Sequence, residues 1–332
     1  MILVTGATGL VGVQLLFDLT SQGSTVVAMK RSTSNMTVFN NTFKNHQNLT
    51  EKINWVKADL LDPLSLEKAL INIDYVYHCA AFVSFDSKEV NKVLEINIDG
   101  TANLVNACLE NGVKHFCHVS SVSALGNKLV NGKLTEKAEA FSFKNKSTYA
   151  ISKHKAEREV WRARAEGLKA FVVSPTIIFG RGDWNTGSSA LFTKLNKGFP
   201  FYTSGVNGFV DVRDVSNCMI RLMKKQIDGE TYILCSENLS YKEIFTLTAQ
   251  ALNKKPPFIK PPNWLNHIFW RLEYFRSKIS GYPPVITRET VATSMTKSYF
   301  SNEKIKKELN YEFITIKESV KNTCKLFLED QQ

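Results

Sequence analysis

Nothing in the 332 residues approaches the run of about 20 apolar residues that a membrane-spanning helix needs. A membrane span is therefore not expected. The N-terminus enters an apolar strand at Ile2, with no charged segment ahead of an apolar one, so no secretory leader is expected either. The six cysteines (Cys79, Cys108, Cys117, Cys218, Cys235 and Cys324) contain no CxxC pair and no regular spacing. They read as buried thiols of a reducing compartment, which makes a cytoplasmic location the expectation. His115, Cys117 and His118 resemble a metal-ligand group, but strand alternation sets His118 on the opposite face from the other two. They do not converge, and no metal is expected. No internal repeat is visible. No aromatic–basic motif of the nucleic-acid kind is present either, so no nucleic-acid partner is expected.

What is present is an ordinary globular composition, 43% hydrophobic and 22% charged. The length suits two domains at about 150 residues each, or one large one. The net charge of +11 is unevenly spread. Residues 1–150 hold 14 Lys and Arg against 13 Asp and Glu, while residues 151–332 hold 28 against 18. The basic excess of the second half reads as a solvated face.

Short apolar strands alternate with helical stretches through the first half. Strands are expected at Ile2–Thr5, Thr25–Lys30, Ile53–Lys57, Asp74–His78, Lys114–Ser120 and Ala170–Val173. Helices are expected at Gly9–Thr20, Pro63–Leu70, Glu89–Asn111 and about Ser147–Glu166. This alternation predicts a doubly wound α/β fold, a parallel sheet with helices on both faces. Residues 32–51, rich in Asn and Thr, read as a surface excursion. Beyond residue 174 Gly, Pro and aromatic residues cluster, and a smaller, irregular C-terminal domain is expected. The division expected is 1–174 for the sheet domain, with later strands returning from about 206–236, and 175–332 mainly for the smaller domain.

Three motifs carry chemistry. Gly6, Gly9 and Gly12 follow the first strand and open a helix. Gly6 allows the tight turn, Gly9 admits a pyrophosphate against the backbone, and Gly12 permits close helix–strand packing. Thr8, Leu10 and Val11 complete this cradle. The second strand ends without the carboxylate that would bind a ribose 2′-OH. Arg31 stands there instead, a cation for a 2′-phosphate, which favours NADP(H) over NAD(H). Asp59 and Leu60 are placed for the adenine edge. Tyr149 and Lys153, four apart at the start of a helix, share a face. A cation beside the phenol lowers its pKa and makes it a proton donor or acceptor for a carbonyl or alcohol oxygen. The fifth strand delivers serines to the carboxyl edge of the sheet, where ligands bind in open α/β folds.

With these residues in place, the chain resembles the extended short-chain dehydrogenases/reductases, the NAD(P)-dependent epimerase/dehydratase superfamily. The resemblance assigns catalytic roles to Ser121, Tyr149 and Lys153. It adds Ala80 and Ala81, Asn97, and the segment Ser174-Pro175-Thr176 to the cofactor-binding residues. It runs from residue 1 to about 220, including Phe209–Val215, with a weaker echo at Ser301–Leu309 and Tyr311. The strand-five carboxylates of the sugar dehydratases are missing. Ile177 stands where nucleotide-sugar epimerases carry Asn.

Segments Ser174–Gly180 and Ala80–Phe85 look more like the dihydroflavonol reductase and 3β-hydroxysteroid dehydrogenase branches. The resemblance therefore implies an NADP(H)-dependent ketone/alcohol oxidoreductase for a small apolar, polyphenol- or steroid-like substrate. Phe82, Ser84, Ser121, Ile178 and Trp184 would line the substrate site. A nucleotide-sugar epimerase is the alternative, and a non-catalytic dinucleotide sensor a second. The resemblance also raises a homodimer through the helix Glu89–Asn111 and the one near Tyr149. Residues 264–279 read as an amphipathic helix of the core or one that covers the pocket, with an interfacial membrane helix as the less favoured reading.

Overall fold

The computed structural model describes residues 1–84, 86–126, 129–137, 141–144, 146–262 and 294–331. The expected helix at 264–279 lies outside the described residues. The chain opens with β1 (Ile2–Thr5), α1 (Leu10–Ser21), β2 (Val26–Lys30), α2 (Thr37–Phe43), α3 (Gln47–Thr50), β3 (Ile53–Lys57), α4 (Pro63–Ala69) and β4 (Tyr75–His78). Next come α5 (Val90–Leu94), a π-helical turn at Glu95–Asp99, α6 (Gly100–Glu110), β5 (His115–Val119), β6 (Leu129–Val130), β7 (Lys133–Leu134), α7 (Thr148–Ala165) and β8 (Ala170–Pro175). The remainder holds β9 (Ile177–Phe179), α8 (Ala190–Asn196), β10 (Val206–Asp211), α9 (Val212–Lys224), β11 (Thr231–Leu234), β12 (Glu237–Ser240) and α10 (Tyr241–Ala251). It closes with α11 (Glu303–Leu309) and α12 (Ile316–Glu329).

Seven strands form one parallel sheet in the order β11-β8-β5-β4-β1-β2-β3. The winding reverses between β1 and β4, so a crevice opens at their carboxyl ends. The strands are apolar on both faces because helices cover both. Leu15 and Leu16 of α1 and Met219 and Leu222 of α9 bury one face, around Val4, Cys117 and Phe171. Leu66 of α4, Leu104 of α6 and Val160 of α7 bury the other, around Leu3, Phe116 and Val172.

Local chemistry sets the helix starts. Asp62 accepts from the Ser65 N–H ahead of Pro63, and Ser147 accepts from the Ala150 N–H at 3.0 Å. At α10 Ser240 and Glu243 form a reciprocal capping box. Among the described residues no helix is long and apolar enough to cross a membrane.

Three expectations need correction. Residues 32–51 are not a mere surface excursion: α2 and α3 bury Val38, Phe39, Phe43 and Leu49 against the core. The helix expected over Glu89–Asn111 is interrupted by the π-helical turn, which buries Asn97. The return expected from about 206–236 does not include its first strand. Strand β10 stays in a separate three-stranded sheet, β12-β10-β9, and only α9 and β11 rejoin the parallel layer. The small sheet packs with α8, α10 and α12 around Phe179, Phe192, Phe209, Ile244 and Phe327.

Candidate active site

The turn after β1 is shaped by what cannot fit. Gly6 sits at φ +64°, and a Cβ there would stand 2.6 Å from the Ala80 nitrogen. A Cβ on Gly12 would stand 2.2 Å from the Gly6 carbonyl oxygen, which the Gly9 N–H already engages at 3.0 Å. Gly9 is different. The nearest atom to a Cβ there is 3.5 Å away, and its φ of −94° suits any residue. The protein itself does not demand glycine at 9, but a ligand approaching the backbone would. Gly9 caps α1 with no side chain, so the first-turn N–H groups near Leu10 and Val11 are left for an anion. The Thr5 hydroxyl meets His78 Nδ1 at 2.7 Å and accepts from the Ala80 N–H at 3.3 Å, which ties the ends of β1 and β4 together. These residues fit the pyrophosphate of a dinucleotide.

Toward the sheet edge, Arg31 is exposed, and its guanidinium has no hydrogen bond or ion pair among the described residues. The neighbouring Lys30 is occupied: its ammonium sits 4.9 Å above the Trp55 ring and 3.9 Å from Met36 sulfur. Asp59 folds its own turn by accepting from the Leu61 N–H, and Leu60 is buried against Gly100.

The corner under α7 collects the acid–base groups. Ser121 follows β5 and is hydrogen-bonded to Tyr149. Ser123 donates its hydroxyl to Ser121 Oγ at 2.9 Å. Lys153, one turn beyond Tyr149, is only 2% exposed and donates to the Val119 carbonyl at 2.6 Å. Burial lowers its pKa to about 8. Burial raises the Tyr149 phenol to about 12, and the Ser121 hydrogen bond opposes that rise. The expected lowering of Tyr149 by the lysine is absent here, because the ammonium is turned to Val119 and His118. Asn97 does not open toward a ligand. Its amide bonds the Phe82 N–H and carbonyl at 2.7 and 3.0 Å and Ser152 Oγ at 2.9 Å. It holds the loop after β4 against α7.

The remaining expected residues divide. Ser174 and Pro175 end β8 and are buried, and the Thr176 hydroxyl donates to the Leu234 carbonyl. Phe82 is partly buried under the Lys92 ammonium, 4.3 Å from its ring, and Ser84 Oγ accepts from the Asp86 N–H. Ile178 packs partly on the parallel-sheet core. Trp184 is not brought to the site. Its ring is buried against Phe192 and Phe327, and its indole N–H donates to Asp330 at 2.9 Å. The C-terminal core takes this expected substrate residue. The sequence reading missed His118 beyond a discarded metal role. A histidine near the carboxyl end of a fully buried strand is the available signal. No group of His, Cys, Asp and Glu suited to a metal occurs among the described residues.

A parallel sheet with a glycine turn at its crossover and a Tyr–Lys pair beside it defines a nucleotide-binding oxidoreductase class. The chain belongs to the NAD dependent epimerase/dehydratase family, whose profile matches residues 2–235. It is 27% identical to the Synechocystis protein named "Putative dihydroflavonol 4-reductase", over 98% of this chain and 93% of that one. It is 24% identical to the UDP-glucose 4-epimerase of Vibrio cholerae, over 99% and 95%. The crystal structure of gox2253 superposes with a TM-score of 0.82 at 29% identity, covering 99% of this chain and 98% of that one. Membership makes this an NAD(P)-dependent oxidoreductase acting on a small molecule.

Proposed function

We propose that the chain interconverts a ketone and a secondary alcohol with NADP(H), on a small apolar substrate of polyphenol or steroid-like kind. The observation that carries this is the Ser121–Tyr149 hydrogen bond above the buried Lys153, at the carboxyl edge of β5. A bound dinucleotide supplies or accepts the hydride at the substrate carbon. Ser121 holds the substrate oxygen, and Tyr149 gives that oxygen its proton in reduction or takes it in oxidation. The Lys153 ammonium, already engaged by the Val119 carbonyl and His118, offers its remaining N–H group to the ribose. Arg31, exposed and with no guanidinium partner among the described residues, supports a 2′-phosphate and hence NADP(H).

Tyr149 is protonated at neutral pH. Reduction should therefore run there and decline as pH rises past about 8, where Lys153 loses its charge.

Tyr149→Phe should lower turnover of an apolar ketone by roughly 10²–10⁴-fold while the NADPH dissociation constant changes little. Turnover near the wild-type level would overturn the assignment. Mass spectrometry of nucleotide released on denaturation tests the alternative. Near-stoichiometric bound NAD would favour an epimerase, which regenerates and retains its cofactor. An empty site, or one carrying NADP, supports the reductase.

A further inference from the structure

Strand β5 is buried along its whole length, and His118 is enclosed within it, fully shielded from solvent. Its Nε2 lies 3.5 Å from Lys153 Nζ, and its Nδ1 is buried with no partner among the described residues. The same ammonium donates to the Val119 carbonyl.

The other titratable groups around Lys153 are engaged elsewhere. His78 on β4, with its ring 5.2 Å from that of His118, has one nitrogen on the Thr5 hydroxyl and the other on that of Thr101. Burial keeps the Cys79 thiol protonated. Glu157, one turn along α7, accepts from Ser120 and Trp161 and makes no ion pair with Nζ among the described residues. Tyr149 is bonded to Ser121.

An ammonium excludes a ring N–H from its front, so His118 presents the Nε2 lone pair and carries its proton on Nδ1. A buried N–H without an acceptor is a cost that an aliphatic residue at 118 would not incur.

We propose that His118 is a positioning residue for Lys153. With the Val119 carbonyl it fixes two of the three N–H directions of the ammonium, and thereby aims the third. The proposal rests on the reading of Lys153 as the partner of Tyr149. A neutral acceptor suits this task. A carboxylate at 118 would hold the ammonium in an ion pair and draw it off its aim, while an aliphatic side chain would leave it on one carbonyl alone.

The test is the Lys153 titration in free protein, read by NMR of ¹³Cε-labelled lysine and assigned by loss of the signal in Lys153→Ala. His118→Leu removes an acceptor for the charged form. It should lower the titration midpoint by about half a pH unit or more and reduce turnover roughly tenfold, with NADP⁺ affinity changed less. His118→Gln should restore both, and His118→Glu should raise the midpoint. A Leu variant that titrates or turns over like wild type would overturn the proposal. Should Leu fail to fold, Gln and Glu carry the test, and equal midpoints in those two would overturn it. If no ketone is reduced by the wild type while the midpoint moves as expected, the proposed reaction falls and the Lys153–His118 contact stands.

Discussion

The glycine turn after β1 and the corner beneath α7 lie at the same carboxyl edge of one sheet, yet they are built from opposite materials. The turn is bare backbone, shaped by positions where no Cβ fits. The corner is a set of buried polar side chains, Lys153, His118 and His78, with the half-buried Glu157, and burial displaces the pKa values of all four. The difference teaches where each can fail. The turn should fail by steric exclusion, all at once and without regard to pH. The corner should fail by loss of a proton or of its aim, gradually and with a pH signature.

Two glycines in one turn sharpen the contrast most. Gly12→Ala drives a methyl against the Gly6 carbonyl, a backbone atom that cannot swing away. We expect a loss of about 1–3 kcal/mol or more in stability, together with loss of dinucleotide binding. Gly9→Ala meets only an ordinary contact. It should fold with nearly the wild-type melting temperature, yet bind NADPH at least about tenfold more weakly, because its methyl occupies the ligand's approach. Calorimetric titration alongside thermal melts separates the two. A Gly9→Ala protein that binds as well as wild type would show that the pyrophosphate does not approach that atom.

Arg31 extends the comparison to the outer end of the crevice, where a side chain takes over from backbone. A charge-assisted bond to a 2′-phosphate is worth roughly 1.5–3 kcal/mol. Arg31→Ala should therefore weaken NADPH binding about 10–100-fold and leave NADH nearly unchanged. Equal losses for both would remove the phosphate role and return the residue to stacking on adenine.

The same contrast explains what could be read in the sequence. The glycine spacing and the Tyr149–Lys153 pair were legible because local geometry alone dictates them: a turn and one helical repeat. The elements that escaped depend on distant partners. Residues 32–51 looked polar, but Phe39 and Phe43, four apart, stack at 4.5 Å and reach Phe17 and Trp55 only in the folded chain. The interruption at Glu95–Asp99 exposes no breaker residue, since Asn97 is anchored by Phe82 and Ser152. Trp184 went astray for a like reason: its partners Phe327 and Asp330 come about 145 residues later in the chain.

The joint between α9 and the C-terminal segment asks whether a buried titrating group by itself marks function. Asp214 accepts from the Tyr311 hydroxyl at 2.8 Å and from the Ile314 N–H at 3.0 Å, and burial raises its pKa to about 7. Here the native state holds a proton that the unfolded chain releases near its ordinary value of about 3.9. The contribution of this group to stability is therefore greatest below pH 4, falls as pH rises toward 7, and is level above that. In Asp214→Asn the amide oxygen still accepts from Ile314 and its N–H₂ group donates to the Tyr311 oxygen, so the joint survives while the titration disappears. Melting temperatures should match near pH 5. At pH 8 the variant should be the more stable by roughly 2–3 kcal/mol, about 3–5 °C, with turnover unaltered. An unchanged gap between the two proteins at pH 5 and pH 8 would mean that Asp214 is ionised throughout. A fall in turnover would mean that this joint, like the corner under α7, takes part in the chemistry.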